Sequence, residues 1–121
     1  MTVHAEITAE AKGNICLVHL NGEIDVSYLP DLENVVKPLL ENAYYQAFVL
    51  DCENLLFIDS KIVGFMAYLY TTLTKNDRKL FIADTNETIN DILTLVGLKT
   101  LIPYYDSAEE ALKNILIPAA K

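Results

Sequence analysis

The sequence predicts an α/β fold with a mixed, mainly parallel sheet of four to five strands, an N-terminal antiparallel hairpin and about four helices. Two strand-like runs, Val3 to Glu10 and Ile15 to Leu20, are separated by the polar turn Lys12-Gly13-Asn14, which is typical of a hairpin. After the hairpin, strand-like and helix-like runs alternate, as in parallel strands joined by crossover helices. Because its 121 residues show no repeat and no internal linker, the chain 1–121 is predicted to be a single domain.

The first helix is predicted to follow a break in the hydrophobic pattern. The stretch Asn21 to Asp25 is rich in turn-forming residues, and Pro30 suits the first turn of a helix that begins near Leu29. Either Asp25 or Ser27 is available as the helix cap. Apolar residues at helical spacing mark the face that we expect to be buried, namely Leu32, Val35, Val36, Leu39 and Leu40.

The central stretch places a serine where a strand gives way to a helix. Phe48 to Leu50 is predicted to be a buried strand that ends at Asp51, and a second apolar run, Leu55 to Ile58, is interpreted as part of the following loop. The next helix has its buried face at Ile62, Phe65, Met66, Leu69 and Leu73. Ser60 stands at its predicted N-cap. Its exposed hydroxyl is the best functional candidate in the chain, although serine before a helix often serves only as a cap.

The last third of the chain contains two more predicted helices. Leu80 to Ala83 is a buried strand, and Thr85 or Asn86 caps a helix with an inward face at Ile89, Ile92, Leu93 and Val96. Gly97 suits the left-handed position that ends a helix. Leu101-Ile102 is a candidate for a last strand. Ser107 with Glu110 three residues later has the form of a capping box, which opens a helix through Leu116.

Composition argues against several kinds of function. Seventeen acidic against nine basic residues give a net charge of −8, which disfavours nucleic acid as a partner because phosphate contacts need clustered Lys and Arg. No apolar run reaches the length of a membrane span, so we expect no membrane insertion and a cytoplasmic location. Cys16 and Cys52 lie in apolar, strand-like surroundings and are interpreted as reduced core residues. Their spacing indicates no metal site, and no cofactor is expected.

The alternating topology predicts one functional surface. Parallel crossovers bring the loops that follow the strands to the same edge of the sheet, so Asp25, Asp59 and Ser60 should lie together. We expect Lys61 to point to solvent beside Ser60 while Ile62 anchors the helix.

Catalysis is not expected at this surface. A nucleophilic serine needs a general base, and the two histidines, His4 and His19, both belong to the N-terminal hairpin. His19 is interpreted as an ordinary surface or core histidine. The chain contains no Gly-x-Ser-x-Gly elbow and no glycine-rich phosphate loop.

Several motifs together resemble the STAS domain of anti-sigma factor antagonists. They are Gly22-Glu23-Ile24-Asp25, Val49-Leu50-Asp51, Phe57-Ile58-Asp59-Ser60 with Gly64 four residues later, and the tail that begins at Val96-Gly97-Leu98. The resemblance covers essentially the whole chain and implies a STAS-like fold. The family commonly has a small residue and a glycine where this chain has Lys61 and Ile62.

The resemblance implies a protein-binding switch rather than an enzyme. In this family the unphosphorylated domain binds an anti-sigma factor that is also a serine kinase. The kinase then phosphorylates the serine that matches Ser60, and a phosphatase resets it. Asp25 matches an aspartate of the neighbouring partner-binding loop, and the implied contact surface is Asp25, Asp59, Ser60, Lys61 and Gly64.

A second function remains open from the sequence. STAS domains also occur as scaffold subunits of lipid-transport ATPases and of stress-signalling complexes, where Ser60 would need no phosphorylation cycle. A homodimer is also possible.

Overall fold

The structure, a computed structural model, describes residues 5–115. Its strands are β1 (Glu6–Lys12), β2 (Ile15–Ile24), β3 (Ala47–Asp51), β4 (Leu55–Ile58), β5 (Lys79–Ala83) and β6 (Tyr104–Tyr105). Its helices are α1 (Leu29–Leu40), α2 (Ser60–Lys75), α3 (Glu87–Leu95), α4 (Leu98–Leu101) and α5 (Ala108–Asn114), with a 3-10 turn at Val26–Tyr28 before α1. The α/β class is therefore confirmed.

The six strands form one mixed sheet in the order β1-β2-β3-β5-β6. The hairpin β1-β2 is antiparallel, whereas the pairs β2-β3, β3-β5 and β5-β6 are parallel. Strand β4 also runs parallel to β2 and pairs with its last residues, Gly22 to Ile24. The predicted hairpin and parallel order are thus both present.

Helices cover the two faces of this sheet unequally. The larger hydrophobic cluster lies between one face and helices α1 to α4, and its fully buried side chains include Leu32, Phe48, Ile62 and Leu93. The smaller cluster lies on the other face, where Ala111 and Ile115 from the α5 region cover β3 and β5. Cys16 and Cys52 are both buried and unpaired, and burial raises the pKa of the Cys16 thiol to about 11. This agrees with reduced core cysteines.

The boundaries of the early elements correct the prediction in two places. Strand β2 does not stop at Leu20 but continues through Ile24, since Gly22, at φ +88°, absorbs a register shift against β4 that other residues tolerate poorly. The run Leu55 to Ile58 is a strand and not a loop, which gives the sheet six strands rather than four to five. The sequence does not predict this strand, because its partner is the part of β2 beyond Leu20, which the sequence does not predict either.

Later elements agree more closely with the sequence. Asn86 caps α3, accepting a hydrogen bond from the Ile89 N–H at 2.9 Å, and Gly97 is left-handed at φ +84°. Ser107 accepts from the Glu110 N–H at 2.9 Å at the start of α5. Within residues 5–115, however, the last strand is Tyr104–Tyr105, and Leu101 belongs to the short helix α4, so this range contains five α-helices. Val96 is 48% exposed rather than part of the buried face, and the predicted helix end at Leu116 lies outside the described residues.

Candidate functional site at the Ser60 corner

The pairing of β2 with β4 brings Asp25 and Asp59 to the same end of the sheet. Ile24 is in register with Ile58, and each of these isoleucines is followed directly by an aspartate. Both isoleucine side chains are buried, which anchors the two chain segments just before they leave the sheet. The predicted proximity of Asp25 and Ser60 is therefore confirmed, and we call this region the Ser60 corner: Asp25, Val26, Phe57, Asp59, Ser60, Lys61 and Gly64.

Asp59, and not Ser60, is the N-cap of α2. One carboxylate oxygen of Asp59, Oδ1, accepts hydrogen bonds from the N–H groups of Lys61 and Ile62, both at 3.1 Å. Ser60 is the first residue of the helix and is exposed. The prediction of Ser60 as the cap was therefore wrong by one position, because Asp and Ser are comparably good capping residues and the sequence places them side by side.

The second oxygen of Asp59 ties the helix to the neighbouring loop. Asp59 Oδ2 accepts a hydrogen bond from the Val26 N–H at 2.8 Å, across 33 positions of sequence. One carboxylate thus receives three backbone N–H groups, two from the first turn of α2 and one from the 3-10 turn at Val26. This arrangement fixes the Asp25 loop against the first turn of α2, so that the corner is a single rigid surface.

Asp25 plays the same capping part for the 3-10 turn. It accepts hydrogen bonds from the hydroxyl of Ser27 and from the Ser27 N–H, the latter at 2.9 Å. The hydroxyl contact first, and the backbone contact second, lower the pKa of the Asp25 carboxyl below its ordinary value. The group is fully ionised at neutral pH, and the corner carries the negative charges of Asp25 and Asp59 side by side.

The side chains that remain exposed around Ser60 are of two kinds, one cationic and two apolar. Lys61 is exposed, and among residues 5–115 no carboxylate lies within ion-pair distance of its ammonium group. Ile62, by contrast, is fully buried. The prediction that Lys61 points to solvent while Ile62 anchors the helix is therefore confirmed. Val26 and Phe57 are 50% and 42% exposed and add apolar area that the sequence reasoning missed. The sequence predicts a loop at Phe57, whereas the structure places this residue in β4 with its side chain partly exposed.

Gly64 lies one helical turn beyond Ser60 on the same face of α2. A Cβ atom built on Gly64 would meet nothing within 4 Å, and the backbone there is ordinary helix. The fold therefore does not need glycine at this position, where glycine costs roughly 0.5–1 kcal/mol relative to alanine. Its effect is to leave the surface beside Ser60 flat.

His19 makes its side-chain contacts away from the Ser60 corner. Both nitrogens of His19 are engaged elsewhere, Nδ1 with Asp51 Oδ2 and Nε2 with Glu10 Oε2, each at 2.8 Å, so the ring is not placed to act as a base for Ser60. Within the described part of the chain no cluster of three or more His, Cys, Asp or Glu residues could hold a metal ion. No helix in the same range is both long and apolar enough to cross a bilayer. The fold and the corner together define an α/β domain that displays an exposed serine at a carboxylate-capped helix.

Comparison with known proteins identifies the family of this domain. The STAS domain family matches residues 6–111, and the chain belongs to that family. An anti-sigma-B factor antagonist from Staphylococcus aureus is 28% identical over 109 residues, covering 90% of this chain and 98% of its own.

Two solved structures show the same fold. An anti-sigma factor antagonist from Mycobacterium paratuberculosis superposes with a TM-score of 0.85 at 21% identity, over 95% of this chain and 98% of its own. The Bacillus cell fate determinant SpoIIAA in its phosphorylated form superposes with a TM-score of 0.74 at 17% identity, over 92% of this chain and 100% of its own.

Proposed function

We propose that this protein is a cytoplasmic, non-catalytic anti-sigma factor antagonist that is controlled at Ser60. In its unmodified form it binds an anti-sigma factor that is also a serine kinase, through the Ser60 corner. Phosphorylation of Ser60 by that kinase releases the complex, and a phosphatase restores the binding form. The observation that carries this proposal is the exposed Ser60 hydroxyl, which the fold does not use because Asp59 has taken over the capping of α2.

The contact surface combines polar and apolar groups in the way that transient interfaces do. Val26 and Phe57 supply apolar area, while Asp25 carries a fixed negative charge at the edge of the same surface. Flat backbone at Gly64 lets a partner approach the Ser60 hydroxyl closely. The net charge of −8 favours a partner whose facing surface is basic.

Electrostatics explain why a phosphate would act on binding rather than on folding. A phosphate on Ser60 adds about −1.5 to −2 charges at pH 7. The helix N-terminus and Lys61 favour that charge by roughly 0.3–1 kcal/mol, and the screened repulsion from Asp25 and Asp59 is of similar size. The two effects nearly cancel in the free domain.

At an interface the same charge has no such compensation. A partner packed over Ser60 must desolvate the phosphate, and a poorly paired charge in such a place costs roughly 2–5 kcal/mol. This corresponds to a loss of affinity of about 30-fold to several thousandfold. Phosphorylation is therefore expected to abolish binding while the melting temperature changes little.

The experiment compares four forms of the protein against the purified anti-sigma factor kinase by isothermal titration. The unmodified protein and Ser60→Asn, which is neutral, are expected to bind, whereas Ser60→Asp and the phosphoprotein are expected to bind at least about 30-fold more weakly. Asn is the matched control because it has the size of Asp without the charge. Equal affinity in all four forms would remove Ser60 as the switch.

A second experiment tests the surface without changing any charge. Gly64→Leu is expected to keep or slightly raise the free energy of unfolding, because leucine forms helix better than glycine, and to weaken partner binding at least about tenfold by steric exclusion. Thr71→Leu, an exposed position two turns further along α2, is the control and should leave binding unchanged. If both variants bind like the parent protein, α2 is not part of the contact surface.

An alternative function is a STAS scaffold subunit of a lipid-transport ATPase or a stress-signalling complex, with or without homodimer formation. It is favoured by Lys61 in the first turn of α2, which has no ion-pair partner within residues 5–115, where the helix dipole disfavours a cation and where the family commonly has a small residue. This alternative predicts that protein isolated from its own cell carries no phosphate on Ser60. Mass spectrometry of the purified protein together with its bound partner distinguishes the two.

A further inference from the structure

A second concave site lies at the opposite end of α2 from Ser60. It has a volume of about 260 Å³ and opens between the last turns of α2, the first half of β5 and the segment that leads into β6. Tyr70 and Thr74 line it from the helix, and Leu101 and Pro103 line it from the other side. Thr74 is fourteen residues from Ser60 along one helix, which is roughly 21 Å, so the two sites do not overlap.

The pocket lies beside the first half of β5, which β6 does not pair with. The Lys79 N–H donates to Gln46 on the β3 side, and the Ile82 N–H donates to Pro103 on the β6 side, both at 3.0 Å. Since backbone groups of alternate residues face opposite edges of a strand, the N–H and C=O of Leu80 face the β6 side. The β5-β6 ladder contains only Ile82 and Ala83, because Pro103 has no N–H to continue it and α4 precedes it. The backbone N–H and C=O of Leu80 therefore face the pocket, and on this side of β5 they have no strand partner among the described residues.

The lining of the pocket combines apolar and charged groups. Phe81, Leu101 and Pro103 supply the apolar part, and Leu101 is 52% exposed. Lys79 lies two residues before Phe81 and so on the same face of β5, and residues 5–115 provide no carboxylate within ion-pair distance of its ammonium group. An ammonium group, a backbone N–H and an apolar wall together select a small anion that carries an apolar body.

Arg78 contributes a fixed wall rather than a second ligand-binding charge. Its guanidinium donates to the carbonyl oxygens of Leu40 and Tyr45, at 2.7 and 2.8 Å, and more weakly to two others in the same segment. Arg78 lines the pocket, but these contacts already use the N–H groups of its guanidinium. Lys79 is thus the cation that remains available to a ligand.

We propose that this pocket binds a small organic carboxylate with an aromatic or branched apolar body. The carboxylate lies at Lys79 and the Leu80 N–H, and the apolar body lies against Phe81, Leu101 and Pro103. The volume is close to the lower end of the range for small-ligand sites, roughly 300–1,000 Å³, which excludes large cofactors. This proposal does not depend on the function proposed for the Ser60 corner.

The test is a two-dimensional amide NMR titration of the whole chain with phenylacetate, and with phenylacetamide as the neutral match. At physiological ionic strength, phenylacetate is expected to produce saturable shifts at Leu80, Phe81 and Leu101. Its affinity should be about two- to fivefold higher than that of phenylacetamide, and Lys79→Gln should remove that difference. Lys113→Gln, which removes the same charge from an exposed position on α5, should keep it.

A pocket-filling variant completes the test. Thr74 is exposed, so Thr74→Trp fills the site without disturbing the core and should abolish the saturable shifts. The proposal is overturned if phenylacetate gives no saturable shift up to about 10 mM, if it shifts residues of the Ser60 corner instead, or if the neutral amide binds equally well.

Discussion

Asp59 and Arg78 each form hydrogen bonds with several backbone groups, and they lie at opposite ends of the sheet. Asp59 accepts three N–H groups, two at the start of α2 and one from the loop at Val26. Arg78 donates to four carbonyl oxygens at and after the end of α1, at 2.7 to 3.5 Å, and its guanidinium lies 5.5 Å from the centre of the Phe48 ring. One anion thus completes a helix N-terminus, and one cation completes a helix C-terminus.

The difference lies in what each arrangement leaves exposed. Around Arg78 the guanidinium N–H groups and the backbone carbonyls are hydrogen-bonded to one another. We assign Arg78 a role in stability. One oxygen of the Asp59 carboxylate caps α2 and the other binds the Val26 N–H. The neighbouring Ser60 is therefore not needed as a cap. The capping device is the same, but the Asp59 end leaves the adjacent Ser60 exposed at the surface.

Replacing Arg78 should therefore have the largest effect on stability. Arg78→Met is expected to lower the free energy of unfolding by about 2–4 kcal/mol, since the carbonyls of Leu40 and Tyr45 lose this donor in partly buried contacts and those of Leu39 and Asn42 lose one of two donors. Urea denaturation measures the loss. The adjacent exposed cation provides the control, and Lys79→Met should stay within about 0.5 kcal/mol of the parent protein. Equal losses in the two variants would show that the carbonyl contacts contribute nothing specific.

Replacing Asp59 should have an intermediate effect with a local signature. Asp59→Ala is expected to cost about 1–2 kcal/mol, as the loss of a helix cap typically does. It should also move the amide resonance of Val26, 33 positions away, because that N–H loses its acceptor. Asp91→Asn, an exposed change on α3, should do neither. A Val26 resonance that does not respond would contradict the link between the two loops.

A third polar cluster, Glu10–His19–Asp51, should have a smaller effect that depends on pH. Burial disfavours the charged imidazole, but the hydrogen bonds to Glu10 and Asp51 outweigh it and raise the pKa of His19. The contact with His19, and then that with Lys12, lowers the pKa of Glu10. A raised histidine pKa stabilises the fold below about pH 6.5, and this contribution is lost as the pH rises through the folded-state value. A lowered glutamate pKa stabilises above about pH 4.5 and is lost on acidification.

His19→Gln should consequently destabilise most between about pH 4.5 and pH 6.5, and least near about pH 9. The expected size is below about 1 kcal/mol, since the cluster is partly solvated. Denaturation curves at several pH values measure it, with Glu6→Gln on β1, the strand that carries Glu10, as the control that keeps the parent profile. A difference that does not change with pH would mean that the histidine acts through packing alone.

The smallest effect is expected at the proposed regulatory residue itself. Ser60→Ala should change the free energy of unfolding by no more than about 0.5 kcal/mol, because Asp59 supplies the cap. Thermal denaturation beside Asp59→Ala measures the contrast directly. A loss of free energy of unfolding as large as that of Asp59→Ala would mean that Ser60 caps α2, which would contradict the contrast drawn here.

Sequence reasoning succeeded where the determining contacts are local. The hairpin turn, the Asn86 cap and the left-handed Gly97 each depend on residues within a few positions of one another, and all three are confirmed. The shared corner of Asp25 and Ser60 was also predicted, because the handedness of parallel crossovers is nearly invariant.

It failed where the determining contacts are distant or equivalent. Nothing near Arg78 in sequence indicates its role, since its carbonyl partners lie 33 to 39 positions away. Strand β4 was missed because it pairs with an extension of β2 that continues past Gly22, a residue typical of turns. Asp59 and Ser60 were confused because either can cap a helix, and only coordinates decide between adjacent candidates.

Strand β1 has a consequence for how these molecules meet one another in solution. It forms one end of the sheet order, and six of its seven residues are exposed, among them Glu6, Glu10 and Lys12. An unpaired strand edge is a template onto which another chain can add, and charged side chains are the usual protection against it. Edge-to-edge addition of a second copy at β1 would bring together two molecules that each carry a net charge of −8. Within residues 5–115 this edge has no strand partner, and its charged side chains make it a poor seed for fibrils.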